Sequence, residues 1–161
     1  VMLAHSMGAK IIALDTNKQR LNRSVEFGAD IIINPEESID LLTEIKDHTK
    51  GLGVNASIDA SSSPSARSSS VKCVKTWGKA CFVGEGGEVT LDVSNDLLRR
   101  QVTLIGSWTF SKYGQAECAD FVAEKDLDVD KLFTHQWSLN QAVEAYELFD
   151  NQSDGKGVFI P

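Results

Sequence analysis

The 161 residues, 42% hydrophobic and 24% charged, have the length and composition of one globular domain or a domain with a short tail, with no apolar run long enough to cross a bilayer. A formal net charge of -7, with no cluster of Lys and Arg interleaved with aromatic residues, removes the electrostatic footprint of a nucleic-acid binder. The three cysteines, Cys73, Cys81 and Cys118, are too far apart for a C-x-x-C metal site and odd in number for a disulfide framework, so a cytoplasmic location is expected.

The segment from Val1 to Met7 is apolar and of good helix propensity, without the charged start or cleavage site of a targeting peptide. It reads as the second half of a helix that Gly8 stops. Ile11-Ile12-Ala13-Leu14 is a continuous apolar run, the pattern of a strand buried on both faces of a parallel sheet. Ile31 to Ile33, Val54 to Ile58, Ala80 to Val83 and Val102 to Ile105 repeat that pattern. Helical periodicity lies between them, over Lys18 to Phe27, Ser38 to His48, Pro64 to Trp77 and Asn95 to Gln101. Gly28, Asn34-Pro35 and Gly51-Leu52-Gly53 supply the breaks.

Val89 to Val93 is read as a short extra strand with no room for a crossover helix before it, hence at a sheet edge. Ala116 to Lys125 and Asn140 to Phe149 are further helical stretches, and Val158 to Ile160 ends the chain as an apolar run. Strand and helix in alternation predict an α/β fold with a doubly wound parallel sheet.

In a dinucleotide-binding, Rossmann-type sheet, the second strand ends in an acid that accepts the ribose hydroxyls and repels a 2′-phosphate. Asp15 stands in that place, and the bland alternative is a turn or cap residue. The matching glycine fingerprint would lie a few residues before Val1, so the domain is expected to be N-terminally truncated. Arg20 either reaches over the same ribose or adenosine phosphate, or pairs with Glu26 or solvent.

The residues after the later strands, Asp59-Ala60-Ser61, Gly84-Glu85-Gly86-Gly87 and Gly106-Ser107-Trp108-Thr109, are mostly small or polar, as a flat ring and a diphosphate approaching backbone would require. Glycine turns also occur there for conformational reasons alone. His5, His48 and His135 form no ligand pair, and Ser61-Ser62-Ser63 has no nucleophile elbow, so no catalytic or metal residue is assigned.

Taken together, the order and spacing of these segments resemble the C-terminal part of the medium-chain dehydrogenase/reductase superfamily, zinc-type alcohol dehydrogenase branch, near its sorbitol and threonine dehydrogenase-like members. The residues that carry the resemblance include Met7 to Asp15, Arg20-Leu21, Phe27 to Asp30, Ile33 to Pro35, Thr49 to Gly53, Ile58 to Ser61, Gly78 to Gly84, Ile105 to Ser107, Phe133 to His135, Ala142 to Phe149 and Gly155-Lys156. The chain has Ala60-Ser61-Ser62 where many relatives have Thr-Gly.

The resemblance implies an NAD-binding domain over residues 1–125 and a tail over 126–161 that returns to a catalytic domain. It implies cofactor contacts at Asp15, Arg20, Ala60, Ser61, Val83, Gly84, Ser107 and Trp108, with Lys156 at the diphosphate. Zinc would be held only in the catalytic domain upstream of Val1, and the intact parent would oxidise a small alcohol or polyol. The fragment alone would be inactive. A homodimer joined through residues 89–93 is expected. The rival readings are an S-adenosylmethionine-dependent methyltransferase, whose second strand also ends in a ribose-binding acid, and a nucleotide-sensing domain without catalysis.

Overall fold

A computed structural model describes residues 1–151 and 155–161, and these divide into two compact units. The first unit joins Val1–Glu37 to Ser111–Pro161, and the second is Ser38–Phe110. The expected boundary at 125/126 falls inside the first unit.

In the first unit, α1 (Met2–Ser6) ends at Met7 and Gly8, whose φ of 83° is the left-handed value that glycine tolerates. β1 (Ile12–Leu14) pairs in parallel with β2 (Ile31–Ile33), setting Ile12 opposite Ile31 and Leu14 opposite Ile33. Between them runs α2 (Lys18–Glu26), started by Asn17, whose side chain accepts the N–H groups of Gln19 and Arg20 at 2.8 and 3.1 Å. Leu21 and Ile33 are buried there.

Later in the chain, α5 spans Lys112–Glu124. β6 (Phe133–Trp137) and β7 (Lys156–Phe159) form a second parallel pair, with α6 (Ala142–Asp150) between them in sequence. Trp137 is buried, stacks on His135 at 5.3 Å and meets Phe149 edge-on at 5.8 Å.

In the second unit, Asp40 caps α3 (Leu41–Asp47) by accepting from Leu42 and Thr43. A three-stranded parallel sheet follows, in the order β3 (Val54–Asp59), β4 (Val74–Phe82), β5 (Thr103–Gly106). α4 (Pro64–Cys73) opens with proline in its first turn, where no N–H is needed. The core of this unit is Ile45, Val71, Val74 and Ala80, each no more than 2% exposed. The doubly wound expectation therefore holds as parallel strands alternating with helices.

Three elements differ from the sequence reading. The helix expected to run to Trp77 ends at Cys73, because Val74 turns extended and the Arg100 guanidinium donates to the carbonyls of Val71 and Val74. Gly53, at φ 90°, lies so close that a Cβ there would sit 2.4 Å from the Cys73 carbonyl oxygen. Second, residues 89–93 carry no strand. Asp92 accepts from the N–H groups of Ser94 and Asn95 at 3.0 Å, while buried Asp96 accepts from Asp92 N–H at 2.9 Å. Val93 thereby becomes the first residue of a wide π-type turn, Val93–Leu98, where a helix over 95–101 was expected. Third, β6 was not anticipated as a strand.

Candidate functional site

The candidate residues fall into one group in each unit. In the first unit, Asp15 directly follows β1, and its N–H reaches back to the Ile33 carbonyl at 3.4 Å. Its carboxylate holds the chain on both sides of the turn. Oδ1 accepts from Asn17 N–H and from Arg20 Nη2, and Oδ2 accepts from Arg20 Nε, all at 2.8 Å. The turn role and the charged pairing are thus combined in one side chain, and α2 is what brings Arg20 within reach. Each carboxylate oxygen has two lone pairs. The Thr16 N–H also faces this carboxylate, so a ribose hydroxyl must share an oxygen that already accepts, or Arg20 must yield a bond.

Burial pushes the Asp15 carboxyl upward, but the Arg20 hydrogen bond, the N–H of Asn17 and the guanidinium charge outweigh it and hold the group below its ordinary 3.8. A depressed carboxylate stabilises the fold above its unfolded pKa, and that contribution is lost as pH falls through the lowered folded value. Asp15→Asn is therefore expected to lower stability at neutral pH and to flatten the acid limb below about pH 4. Urea midpoints measured from pH 2.5 to 7 check this, and superimposable pH profiles for the two chains would contradict it.

Lys156, also in this unit, opens β7 and accepts from Thr134 Oγ1 at 3.2 Å through its carbonyl. It borders a groove of about 610 Å³ lined by Phe133, Trp137, Tyr146, Phe149 and Phe159. That groove is apolar, unlike a diphosphate site.

The second group gathers at the carboxyl ends of β3, β4 and β5. Ala60 and Ser61 follow β3 and are exposed; Val83 and Gly84 follow β4; Ser107 and Trp108 follow β5, with the indole 65% exposed. Backbone bonds lace these loops together. Val83 and Gly84 both donate to the Asp59 carbonyl, at 2.8 and 3.1 Å, and Ser107 donates to Phe82 at 3.0 Å. The six residues proposed from sequence in this unit therefore share one end of one sheet, where open parallel sheets receive ligands.

Two residues beneath these loops were assigned no role from the sequence, Asp59 being read only as one of the residues after a strand and Arg67 not at all. Asp59 is 5% exposed and accepts from Ser61 N–H, Ser61 Oγ and Ser62 N–H at 3.2, 2.6 and 3.3 Å. Arg67, on α4, donates to the Gly84 carbonyl at 2.6 Å and approaches the Asp59 carboxylate at 3.5 Å. The signal for them was an acid ending a strand and an arginine one turn into an otherwise small-residue helix.

Among the described residues, no three His, Cys, Asp or Glu side chains gather to hold a metal. Cys73 is buried and desolvation raises its thiol to about 11, the inert protonated form; Cys118 is exposed on α5. The donor set of the described residues does not fit a zinc site.

The family model described as zinc-binding dehydrogenase matches residues 1–124, and the chain belongs to that family. It is 32% identical to a zinc-type alcohol dehydrogenase-like protein of Escherichia coli, over 98% of this chain and 45% of that one. It is 28% identical to the L-threonine 3-dehydrogenase of Symbiobacterium thermophilum, over 100% of this chain and 47% of the relative. The crystal structure of an alcohol dehydrogenase from Thermotoga maritima superposes with a TM-score of 0.91 at 24% identity, over all of this chain and 46% of that chain. The chain thus spans about half the length of the relatives it matches, and nothing in these comparisons supports a methyltransferase. Among the described residues, no helix is long and apolar enough to cross a membrane.

Proposed function

We propose that this chain binds NAD, in preference to NADP, for a parent enzyme that transfers hydride between the nicotinamide and the carbinol carbon of a small alcohol or polyol. The observation that carries the reading is the Asp15 carboxylate, held charged at the end of β1 by Arg20 and the turn N–H groups. A ribose hydroxyl donates to that carboxylate, whereas a 2′-phosphate would bring like charge against it. Arg20, in hydrogen-bond contact with Asp15, flanks the same ribose. Ala60, Ser61, Val83, Gly84, Ser107 and Trp108 offer small side chains, backbone polar groups and one exposed indole to the nicotinamide half. Lys156 is the weakest member, because it borders an apolar groove.

When bound, NAD would supply the acceptor for a hydride from the carbinol carbon, with the hydroxyl proton released as the carbonyl compound forms. The zinc of the parent, its proton relay and its substrate pocket belong, on this reading, to the half of the relatives' length that this chain does not span. The chain alone is inactive, and the enzyme works in the cytoplasm. Self-association of the parent belongs to the same proposal, through backbone near Thr90 that would pair only on association, since no strand is preformed there.

Calorimetric titration of the full chain with NAD and with S-adenosylmethionine tests the reading. Saturable heat with NAD and none with S-adenosylmethionine is expected. The reverse order sinks it.

A further inference from the structure

The buried Asp59–Arg67 pair beneath the loops of the second unit takes no part in the cofactor contacts proposed above. The Arg67 side chain is 9% exposed and that of Asp59 is 3% exposed, yet the pair is imperfect: Arg67 Nε lies 3.5 Å from Asp59 Oδ2 and has no hydrogen-bond partner among the described residues. A buried charged pair with an unpaired N–H adds little stability, because desolvation offsets the attraction; a well-packed apolar pair of similar volume often does as well or better. Its contribution must therefore be sought in geometry.

That geometry converges on Asp59 from both loops. Its carboxylate holds Ser61 and Ser62, and its main-chain carbonyl receives Val83 and Gly84. Arg67 closes the circuit, placed over the Phe82 ring at 5.5 Å and donating to the Gly84 carbonyl. The loops touch so closely that a Cβ on Gly84 would lie 2.7 Å from Ser62 N, and one on Gly87 would lie 2.3 Å from Ser62 O. Ser62 itself is held at φ 66°, a conformation that serine adopts only under local constraint.

We propose that Asp59 and Arg67 are positioning residues that fix the loop after β3 against the loop after β4, and so hold the backbone groups of residues 60–61 and 83–84 ready for the nicotinamide half of the cofactor. The naming of that ligand rests on the function proposed above; the clamp itself does not.

Amide hydrogen exchange on the full chain separates the two. Arg67→Lys keeps a cation in the pocket, but its single nitrogen cannot stand both beside Asp59 and against the Gly84 carbonyl as Nε and Nη2 of the guanidinium do. The expected result is exchange at Ser61, Ser62, Val83 and Gly84 faster by tenfold or more, with protection at Ala80 and Cys81 in the sheet unchanged. The affinity for nicotinamide mononucleotide should fall about tenfold, while that for AMP does not change. Asp59→Asn with Arg67→Met removes both charges together, leaves no lone buried ion, and should show the same local loss. Unchanged loop protection in either variant overturns the clamp, as does loss of loop and sheet protection together, which is the signature of a merely structural pair. If the loops loosen as expected but the wild-type chain does not bind nicotinamide mononucleotide, the clamp stands and the nicotinamide reading falls.

Discussion

Gly53→Ala is expected to lower the stability of the second unit by about 3 kcal/mol or more, one of the largest effects of a single methyl group in this chain. Two costs add. At φ 90° an L side chain is strained by about 1–2 kcal/mol, and the new Cβ would meet the Cys73 carbonyl at 2.4 Å, with Lys75 N and the Val74 carbonyl carbon at 3.1 Å. None of these atoms is the loose end of a side chain. Relief would require moving the end of α4 away from the start of β3, where Val71 and Val74 are fully buried. Gly51→Ala is the internal control, because Gly51 has φ 79° but open space around its Cβ position. It should cost only the conformational strain of about 1–2 kcal/mol. With urea slopes of about 1–3 kcal/mol/M, Gly53→Ala should shift the midpoint by on the order of 1 M or more, clearly beyond the control. Equal shifts for the two variants would mean that the close approach to Cys73 has no energetic weight.

Asp15→Ser should change cofactor preference more than any other single substitution. In the wild-type chain Asp15 accepts from Arg20 Nε and Nη2, so a 2′-phosphate would meet a carboxylate and would also have to compete for the guanidinium. Like charges brought together at a desolvated site cost several kcal/mol, and the neighbouring guanidinium offsets part of this. A preference for NAD over NADP of about tenfold or more, roughly 1.4 kcal/mol, is the expected balance. Serine removes the repelling charge and, at the same time, the two bonds by which Asp15 competes for the Arg20 guanidinium. Reversal of preference is expected, because both changes favour NADP. The ratio of the two dissociation constants, measured for wild type and variant at one salt concentration, decides the matter. An unchanged ratio would leave Asp15 as a turn residue and nothing more.

What the sequence revealed depended on whether the cause was local. Ile11 to Leu14 and Ile31 to Ile33 are continuous apolar runs between breakers, and both became strands of one parallel pair. Asn17 and Asp40 are local caps, and the helices start beside them. The end of α4 was not legible, because Lys75-Thr76-Trp77 contains no stop signal. The stop comes from Arg100 and Gly53, both distant in sequence. Val89 to Val93 has the composition of a strand, but Asp92 and Asp96, four residues apart, bond each other and start a helical turn instead. β6 was missed because Trp137 is its only buried residue and its partner β7 lies some twenty residues away.

At the candidate site the same division holds. Asp15 and Arg20 are five apart, on a strand end and the first turn of the next helix, and their meeting is local. The residues after β3, β4 and β5 were visible one at a time as small or polar positions following apolar runs. That Asp59 joins two of these loops was not visible, since it depends on strand pairing and on Arg67 reaching Gly84 across 17 residues.

The most direct test of cofactor binding through Asp15 is a residue-resolved titration of the isotope-labelled full chain with NAD, followed by backbone NMR. Saturable shifts at Asp15, Asn17 and Arg20 are expected, accompanied by shifts at Ser61, Gly84 and Ser107, with the shifts at Asn17 and Arg20 moved to higher NAD concentration in Asp15→Ser. Shifts confined to the groove around Trp137, Phe149 and Phe159, or a response at residues 17–20 with an NAD midpoint unchanged in Asp15→Ser, would contradict it.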